Sequence, residues 1–496
     1  MSIIKQILST FILTYTCTTL GLLFTLPSST IKLFSSENTP LNRVMTQSEI
    51  SLMGSISSAS TLIVTPFCGY LLDILGRKRA LIILFSPQLL AWILLVTIKR
   101  VEGVICAMSL CGLGGCVFPI IPVYINEFCE PSIRGALSSS GIIFHGIGML
   151  LSYGIGGIVD YSTLNYIGLS LAFIGMVLFF FLKESPLYLM RKGLDKVRFI
   201  FLVKSKSIRC ITGIYAGYYT FQEAAKSIAY YKGLQIDSIE VITHLENLRQ
   251  LIKTSDIKLN DIPEMESLNP ETKATWKNVS IFKFFGNSPS SRRAFTVLLV
   301  LLTTCVFQGL AVVQVYAEPL FATAVPSMSS TLSSVLFGLT IIISGFVEAV
   351  LVEAIGRRAL LIGSSLVTGL LCLILGTQIQ FQWGPGWLTA GFIYIYAMTY
   401  TFGAGSVPYV LMGEIFLPQI KSFASTFIFE WSYFCIFLML FMFNPLFNAY
   451  GLGPIFFIFA GFSFFTTTFA YLYLPETKQM SVDVIQKKFL ERKIFK

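Results

Sequence analysis

The sequence predicts an all-α membrane protein: twelve transmembrane helices in two pseudo-symmetric six-helix bundles. Three observations lead there. Mean hydropathy is +0.74, with 54% hydrophobic and only 12% charged residues over 496 positions. Apolar runs of about 20 residues, the length that crosses a bilayer, recur along the chain. Two charged motifs recur at nearly one offset, so the chain is built twice.

The expected spans are 6–26, 49–72, 80–98, 103–126, 138–159 and 164–183, then 294–323, 332–352, 359–380, 387–413, 423–443 and 452–474. Six precede a polar stretch and six follow it. The implied domains are a first bundle (1–183), a loop (184–293), a second bundle (294–474) and a tail (475–496). The N-terminal run lacks a small-residue cleavage site, so it reads as an uncleaved first span and not a signal peptide.

Placement of charge matters more than the net +10. Arg77, Lys78, Arg79, Arg134, Arg357, Arg358 and Lys421 fall on the side that carries both termini, and Lys32, Arg43, Lys99 and Arg100 on the other. The positive-inside rule puts the richer side in the cytoplasm. No nucleic-acid motif accompanies the basic residues. Nine of ten cysteines lie in or beside apolar spans. Cys106, Cys111 and Cys116 turn by about 140° from one to the next on a helix, and no CxxC pair occurs. They read as packing residues.

DILGRKRAL (73–81) puts one acid and three bases into nine residues, and EAIGRRALL (353–361) repeats it 280 positions on. INEFCEPSIRG holds Glu127, Pro131 and Arg134; GEIFLPQIKS holds Glu414, Pro418 and Lys421 at the same spacing, 287 positions on. Each motif closes a corresponding span. Glu127 can pair with Arg77 or Arg134, and Glu414 with Arg357, Arg358 or Lys421. Such networks tie together the inner ends of each half and can also hold an inner gate. Gly76 and Gly356 permit the tight turns. The plainer alternative is a set of basic loops that only fix topology.

With KESPLYL (183–189), VPYVLMGEIFLPQIK and LPETK (474–478), these motifs resemble the sugar porters of the major facilitator superfamily, most of all the facilitated trehalose and glucose transporters. The resemblance runs in order from about Thr46 to Gln486. It implies a twelve-helix major facilitator fold with alternating access to a central sugar site. It also implies a cytoplasmic gate: Asp73, Arg77, Lys78, Glu127, Arg134 and Glu184 in the first half, with Glu353, Arg357, Arg358, Glu414, Lys421 and Glu476 in the second. The family's amide-rich seventh-helix stretch reads CVFQGLA here (305–311), which removes amides that bond sugar hydroxyls.

Other polar groups remain within spans, where each needs a partner or a water-filled cavity. His145 either lines the cavity or bonds a neighbouring helix. Gln308, one turn after Cys305, is expected to face the cavity, and Gln314 less so unless Gly309 bends the helix. Glu430 either meets substrate, carries a proton or makes a structural pair. Glu348 reads as part of the gate. Phe402, Tyr409, Ser432 and Tyr433 occupy motif positions suited to stacking on or bonding a substrate.

In the loop, Ile239, Ile242, Leu245, Leu248 and Ile252 form a helical stripe. Residues 197–222 read as a retained intron. Deleting them leaves RKGLDKEAAKSIAYYKGL, which continues the family pattern. Val-Arg and Phe-Gln at the ends can encode splice signals, and 26 residues keep the frame.

The leading function is facilitated transport of a sugar such as trehalose or glucose. A sugar sensor that does not transport, and a proton-coupled carrier of another small polar solute, remain open. The first span holds no carboxylate, whereas proton-coupled members of the family it resembles usually carry an acid there, and by that resemblance facilitation is favoured. No nucleophile–base set, metal cluster or phosphate loop points to an enzyme or a cofactor. The expected partners are a small polar solute and the lipid bilayer, and the expected location is the plasma membrane, with both termini in the cytoplasm.

Overall fold

In the computed structural model, residues 2–202, 209–258, 288–416, 418–478, 480 and 482–491 are described, and the side chains of Arg134, Glu353 and Lys421 lie outside the description. The first six spans are Ser2–Phe24 continued by Leu26–Phe34, Gln47–Leu75, Arg77–Thr97, Val101–Gly115 with Val117–Phe128, Pro131–Gly156, and Tyr161–Leu178. The second six are Pro289–Val306 continued by Leu310–Val315 and Ala317–Ala324, then Ser330–Ile355, Arg357–Phe381, Gly386–Phe402 with Val407–Ile415, Pro418–Tyr450, and Leu452–Tyr473. Helices of 21 to 29 residues, such as the second, third and ninth, reach about 32–44 Å at 1.5 Å per residue, enough to cross hydrocarbon. Large apolar side chains such as Ile63, Phe67, Phe173, Phe180, Val350 and Leu472 stand exposed on the outer surface. That costs nothing in lipid and much in water.

The first, fourth, seventh and tenth spans are broken, so each half interrupts the same two of its six helices. The breaks fall at Thr25, Cys116, Phe307–Gly309 and Gly403–Ser406. Proline marks two of them: Pro27 and Pro408 sit in the first turn of the following segment, where no backbone donor is needed. Gly309 has φ of +97°, a conformation that favours glycine. Corresponding interruptions in two repeated halves are the best backbone pointer to a transport site.

The first and fifth spans pack closely, as do the ninth and twelfth within the second half. The halves meet along two seams, second span against eleventh and fifth against eighth. Glycines set the approach. An added Cβ at Gly148 would lie 2.0 Å from the Thr18 carbonyl oxygen, and one at Gly21 would lie 2.2 Å from that of His145.

In the loop, Pro186–Leu202, Arg209–Lys232 and Ile239–Lys258 are helical. The last of these buries Val241 with Leu245 and Leu248 against the helix before it, while Ile239 and Ile242 stand exposed. The expected stripe is therefore displaced at its start, because Val241 and not Ile239 meets Ala225, Ile228 and Ala229. Side chains 197–219 and Ile252 lie outside the description. Val482–Glu491 docks under the second half: Ile485 and Phe489 are buried, and Gln486 donates to the Ile415 carbonyl at 2.7 Å.

Candidate functional site

The repeated motifs build two matching polar clusters on one face, here termed the arginine face. At Gly76 (φ +91°) the second span ends and the third begins; at Gly356 (φ +100°) the eighth ends and the ninth begins. Neither turn has a side-chain cap of its own. A carboxylate from elsewhere supplies it. Glu184 accepts the backbone N–H groups of Arg77 at 2.8 Å and Lys78 at 3.1 Å. Glu476 accepts those of Arg357 at 3.1 Å and Arg358 at 3.1 Å. Helix N-termini leave such N–H groups unpaired and favour negative charge. Only glycine admits the caps so closely: a Cβ at Gly76 would lie 2.6 Å from Glu184 Oε2, and one at Gly356 3.1 Å from Glu476 Oε2.

The arginine side chains complete each cluster. Arg77 Nη2 lies 2.8 Å from Glu127 Oε1, its Nε donates to the same carboxylate at 2.9 Å, and its Nη1 donates to the Leu72 carbonyl. Arg357 Nη2 lies 2.8 Å from Glu414 Oε1, its Nε donates to the same oxygen at 3.1 Å, and its Nη1 donates to the Val352 carbonyl. Asp73 is peripheral, 3.6 Å from Arg77 and exposed. Lys78 Nζ donates to the Leu182 carbonyl at 2.8 Å and Arg358 Nη2 to that of Tyr471 at 2.8 Å, so both close the end of their half's last span. All these contacts lie within a half.

The two capping carboxylates differ in environment. Burial raises the Glu184 carboxyl above its ordinary range, against the donors of Ser185, Lys78 and Arg77. Burial also pushes Glu476 up, but the N–H groups of Lys478, Arg358, Thr477 and Arg357 outweigh it and leave it below. The loop is tied in as well: Ser227 Oγ donates to the Glu184 carbonyl at 2.6 Å, and the hydroxyls of Tyr231 and Tyr124 both donate to the Lys183 carbonyl.

On the opposite face the halves are bonded to each other. Glu318 N donates to Ser28 Oγ at 2.9 Å, and Tyr153 OH to the Gln314 carbonyl at 2.6 Å. Tyr316, at the last break of the seventh span, stacks on Phe443 with centroids 4.9 Å apart and takes a bond from Asn444. Its hydroxyl fills the space a Cβ at Gly54 of the second span would need, 2.1 Å away. Sequence reasoning missed Tyr316, Tyr153 and Ser28. No local pattern in the sequence marks them, because each contact joins distant spans.

Between the faces the expected residues divide. Gln308 does not face the cavity. It is fully buried, its side-chain amide donates to Thr466 at 3.1 Å and Ser365 at 3.4 Å on the twelfth and ninth spans, and its backbone carbonyl accepts from Tyr396 at 2.7 Å. The break at Gly309 resets the helical phase. In Leu310–Val315 only Ala311 and Gln314 are half-buried while their neighbours are buried, so Gln314 takes the open side. His145 packs on the first span against Gly21, its ring 6.0 Å from Phe24 and bonded to the Cys17 backbone.

Tyr409 and Ser432 are hydrogen-bonded partners on the tenth and eleventh spans, and the Tyr409 ring lies 5.5 Å from Phe429. Tyr433 sits near Tyr409 and, across the seam, near Cys17, Cys68 and Cys116 of the first half. Phe402 is half-buried at the tenth-span break. Glu430 is half-buried in the eleventh span. Glu348 is buried and bonds Ser406 at the tenth-span break, so it belongs to that hinge and not to the arginine cluster. Among the described residues no group of three or more His, Cys, Asp or Glu is placed to hold a metal ion.

The fold and its repeats match known proteins. A solved inward-open xylose transporter XylE from E. coli superposes with a TM-score of 0.72 at 16% identity, covering 97% of this chain and 98% of that one. The facilitated trehalose transporter Tret1 of Bombyx mori is 24% identical over 90% of this chain and 80% of its own length. Trehalose transporter 1 of Drosophila melanogaster is 24% identical over 86% of this chain. The chain spans about half the length of several relatives it matches, 45% in that case. The model of the family "Sugar (and other) transporter" matches residues 1–200 and 238–489. The twelve-span, twofold-repeated chain is a multi-pass membrane protein with the major facilitator fold, and it belongs to the sugar (and other) transporter family.

Proposed function

We propose that the protein carries a sugar, trehalose or glucose in class, across a membrane by facilitated diffusion with alternating access. The observation that carries this reading is the pair of matched clusters, Arg77–Glu127–Glu184 and Arg357–Glu414–Glu476. Each makes the arginine end of one half a rigid unit, while among the described residues the bonds of Ser28 with Glu318 and Tyr153 with Gln314 join the halves at the other end. Two rigid bodies joined at one end can rock about a site between them.

In this reading the arginine face and both termini lie in the cytoplasm, by the positive-inside rule, and the plasma membrane is the host membrane. The bonds of Ser28 with Glu318 and Tyr153 with Gln314, together with Tyr316 against Gly54, form the outer closure. The substrate sits between Gln314, Phe402, Tyr409, Ser432 and Tyr433, with His145 fixing the first span behind it and Glu430 nearer the inner mouth. Aromatic faces take the apolar side of a sugar ring, and Gln314 with the hydroxyls bonds its polar edge. The acid–base clusters, with Asp73, Lys78, Arg134, Glu353, Arg358 and Lys421 around them, act as the inner gate. The chain is read as two bundles, 1–183 and 294–474, joined by the loop 184–293, with the tail 475–496. Uptake of labelled sugars into vesicles containing the purified chain tests the proposal: saturable uptake supports it, and uptake no faster than in empty vesicles for every sugar overturns it.

A further inference from the structure

His244, one of two histidines in the chain, stands in the loop, outside every cluster described above. Its ring Nδ1 lies 3.2 Å from Lys232 Nζ, and both side chains are half-buried. The local backbone brings them together. The helix Arg209–Lys232 ends at Gly233, whose φ is +67°, and the Leu234 N–H turns back to the Ala229 carbonyl at 3.0 Å. That pattern closes a helix C-terminus and packs the residue after the glycine against it. Ser238 then opens the next helix, its Oγ accepting from Val241 N at 3.4 Å. The turn is short, so Ile239–Lys258 folds back over the end of its predecessor and His244 meets Lys232.

The two helices are held differently. Arg209–Lys232 is tied to the first bundle: Ser227 donates to the Glu184 carbonyl at 2.6 Å, Tyr231 donates to the Lys183 carbonyl at 2.9 Å, and the Tyr231 ring stacks on Phe128 at 4.5 Å. The described apolar contacts of Ile239–Lys258 come from Val241, Leu245 and Leu248, which rest on this helix and on Pro186–Leu202. A segment with so few buried apolar contacts opens locally before the bundle does.

The contact fixes the state of the imidazole. A lysine ammonium has three donors and no acceptor. Nδ1 is therefore the acceptor, and the ring is neutral with its proton on Nε2. A second proton must go to Nδ1, which sets two donors and two positive charges face to face at 3.2 Å. Among the described residues, the charged groups on the packed elements are Arg191 and Lys192 on Pro186–Leu202, then Glu223, Lys226 and Lys232 on Arg209–Lys232, with Asp237 in the turn. Lys192 donates to the Tyr188 hydroxyl at 3.0 Å, and Glu223 pairs with Lys226 at 3.0 Å. The helix of His244 itself adds Glu240, Glu246 and Arg249. Of all these, Lys232 is the charge that acts on the ring: burial first and Lys232 second hold His244 below the ordinary histidine range.

We propose that Lys232 and His244 form an acid-sensitive clasp, in which protonation of His244 opposes two cations and releases Ile239–Lys258 from the two helices beneath it. Above about pH 6.5, the unperturbed histidine value, the ring is neutral whether the helix is docked or released, and the clasp holds. As pH falls from there through the lower docked value, the released state binds a proton that the docked state refuses, and its share grows. Arg209–Lys232 stays in place through Ser227 and Tyr231. Release therefore uncovers Val241, Leu245 and Leu248 as an apolar surface on the arginine face.

The clasp goes beyond the transport reading, and its test does not depend on transport. The full-length protein in lipid nanodiscs, which leave both faces open, is exchanged in deuterium oxide at about pH 7.5 and about pH 5.5, on either side of the histidine range. Labelling times are scaled to the intrinsic exchange rate at each pH, and peptides covering 239–250 and 221–232 are read by mass spectrometry. The expected result is a severalfold loss of protection in 239–250 at the lower pH, with a smaller change in 221–232. His244→Gln keeps an acceptor for Lys232 but does not titrate, so it should stay protected at both pH values. No loss in the native chain, equal loss in His244→Gln, or equal loss in both peptides overturns the proposal. Should His244→Gln be unprotected already at the higher pH, Lys232→Met decides. Without the facing cation the acid-induced loss should shrink, and a loss as large as in the native chain overturns the clasp.

Discussion

Glu184 accepts the backbone N–H of Arg77 at 2.8 Å across 107 positions of sequence, and so caps a helix that has no cap of its own. Glu476 does the same for Arg357 in the second half at 3.1 Å. The short glycine turns and the distant acids are two parts of one device. A glycine at positive φ brings a helix N-terminus to the surface of its half, and a carboxylate from beyond that half's last span closes it.

The two caps should respond oppositely to pH. Glu476 lies below the ordinary carboxylate range despite its burial, because four backbone donors favour its charged form. Its contribution to stability is present above the unfolded pKa of about 4.3 and is lost as pH falls through the lower folded value. Glu184 lies above the range through burial. Ionising it disfavours the fold as pH rises from the unfolded value through the folded one. Glu476→Gln should therefore lower stability at pH 7 by about 0.3–1 kcal/mol, after allowance for its solvent exposure, and the difference should shrink below about pH 4. Glu184→Gln should be nearly neutral at pH 7. Thermal melts in detergent across pH check this, and a larger loss for Glu184→Gln contradicts it.

The arginine pairs should also be unequal. The Arg77 and Glu127 side chains are 11% and 8% exposed, whereas Glu414 is 26% exposed beside Arg357. Breaking a buried pair leaves an uncompensated charge and costs about 3–5 kcal/mol. A partly solvated pair contributes about 1 kcal/mol or less. Glu127→Gln should reduce the yield of folded protein, and Glu414→Gln should fold. The second variant should also increase cysteine labelling of cavity positions from the arginine face. Equal stability of the two variants would remove the distinction.

Gln314 and Gln308 should separate function from stability. Gln314→Ala removes a neutral hydrogen bond of about 0.5–1.5 kcal/mol on the open side of the seventh span, so apparent substrate affinity should fall by up to about tenfold. Gln308→Ala strips the bonds to Thr466 and Ser365, so it should lower the melting temperature with affinity unchanged. Uptake kinetics and melting curves of both variants decide it. A fall in affinity for Gln308→Ala alone reverses the assignment.

These pairs mark how far the sequence could be read. The Gly76 and Gly356 turns were legible because acid, glycine and bases stand within a few residues and recur. The contacts of Glu127 and Glu414 followed from the same repetition. The facing of Gln308 was not legible. Its phase is set by one backbone torsion at Gly309, which periodicity treats as ideal helix. Tyr316 against Gly54 depends on packing between distant spans, which no local pattern encodes. The loop stripe failed at Ile239 and Ile242 for a related reason: the preceding helix selects which face is covered.

Residues 197–222 carry a prediction at the level of the transcript. The family match stops at 200 and resumes at 238, a gap that contains most of this segment. Sequencing mature messages across the junction should recover a form that joins Lys196 directly to Glu223 and keeps the frame. Messages that uniformly encode the segment would make it a genuine insertion in the loop.

The central claim is sugar movement by facilitated diffusion. The direct measurement is uptake of a labelled panel, trehalose and glucose first, into vesicles holding the purified chain, with and without an imposed pH gradient. The account predicts saturable uptake of at least one sugar that equilibrates without accumulation and is indifferent to the gradient. Accumulation above the external concentration driven by the gradient, or no uptake of any sugar above empty vesicles, would contradict it.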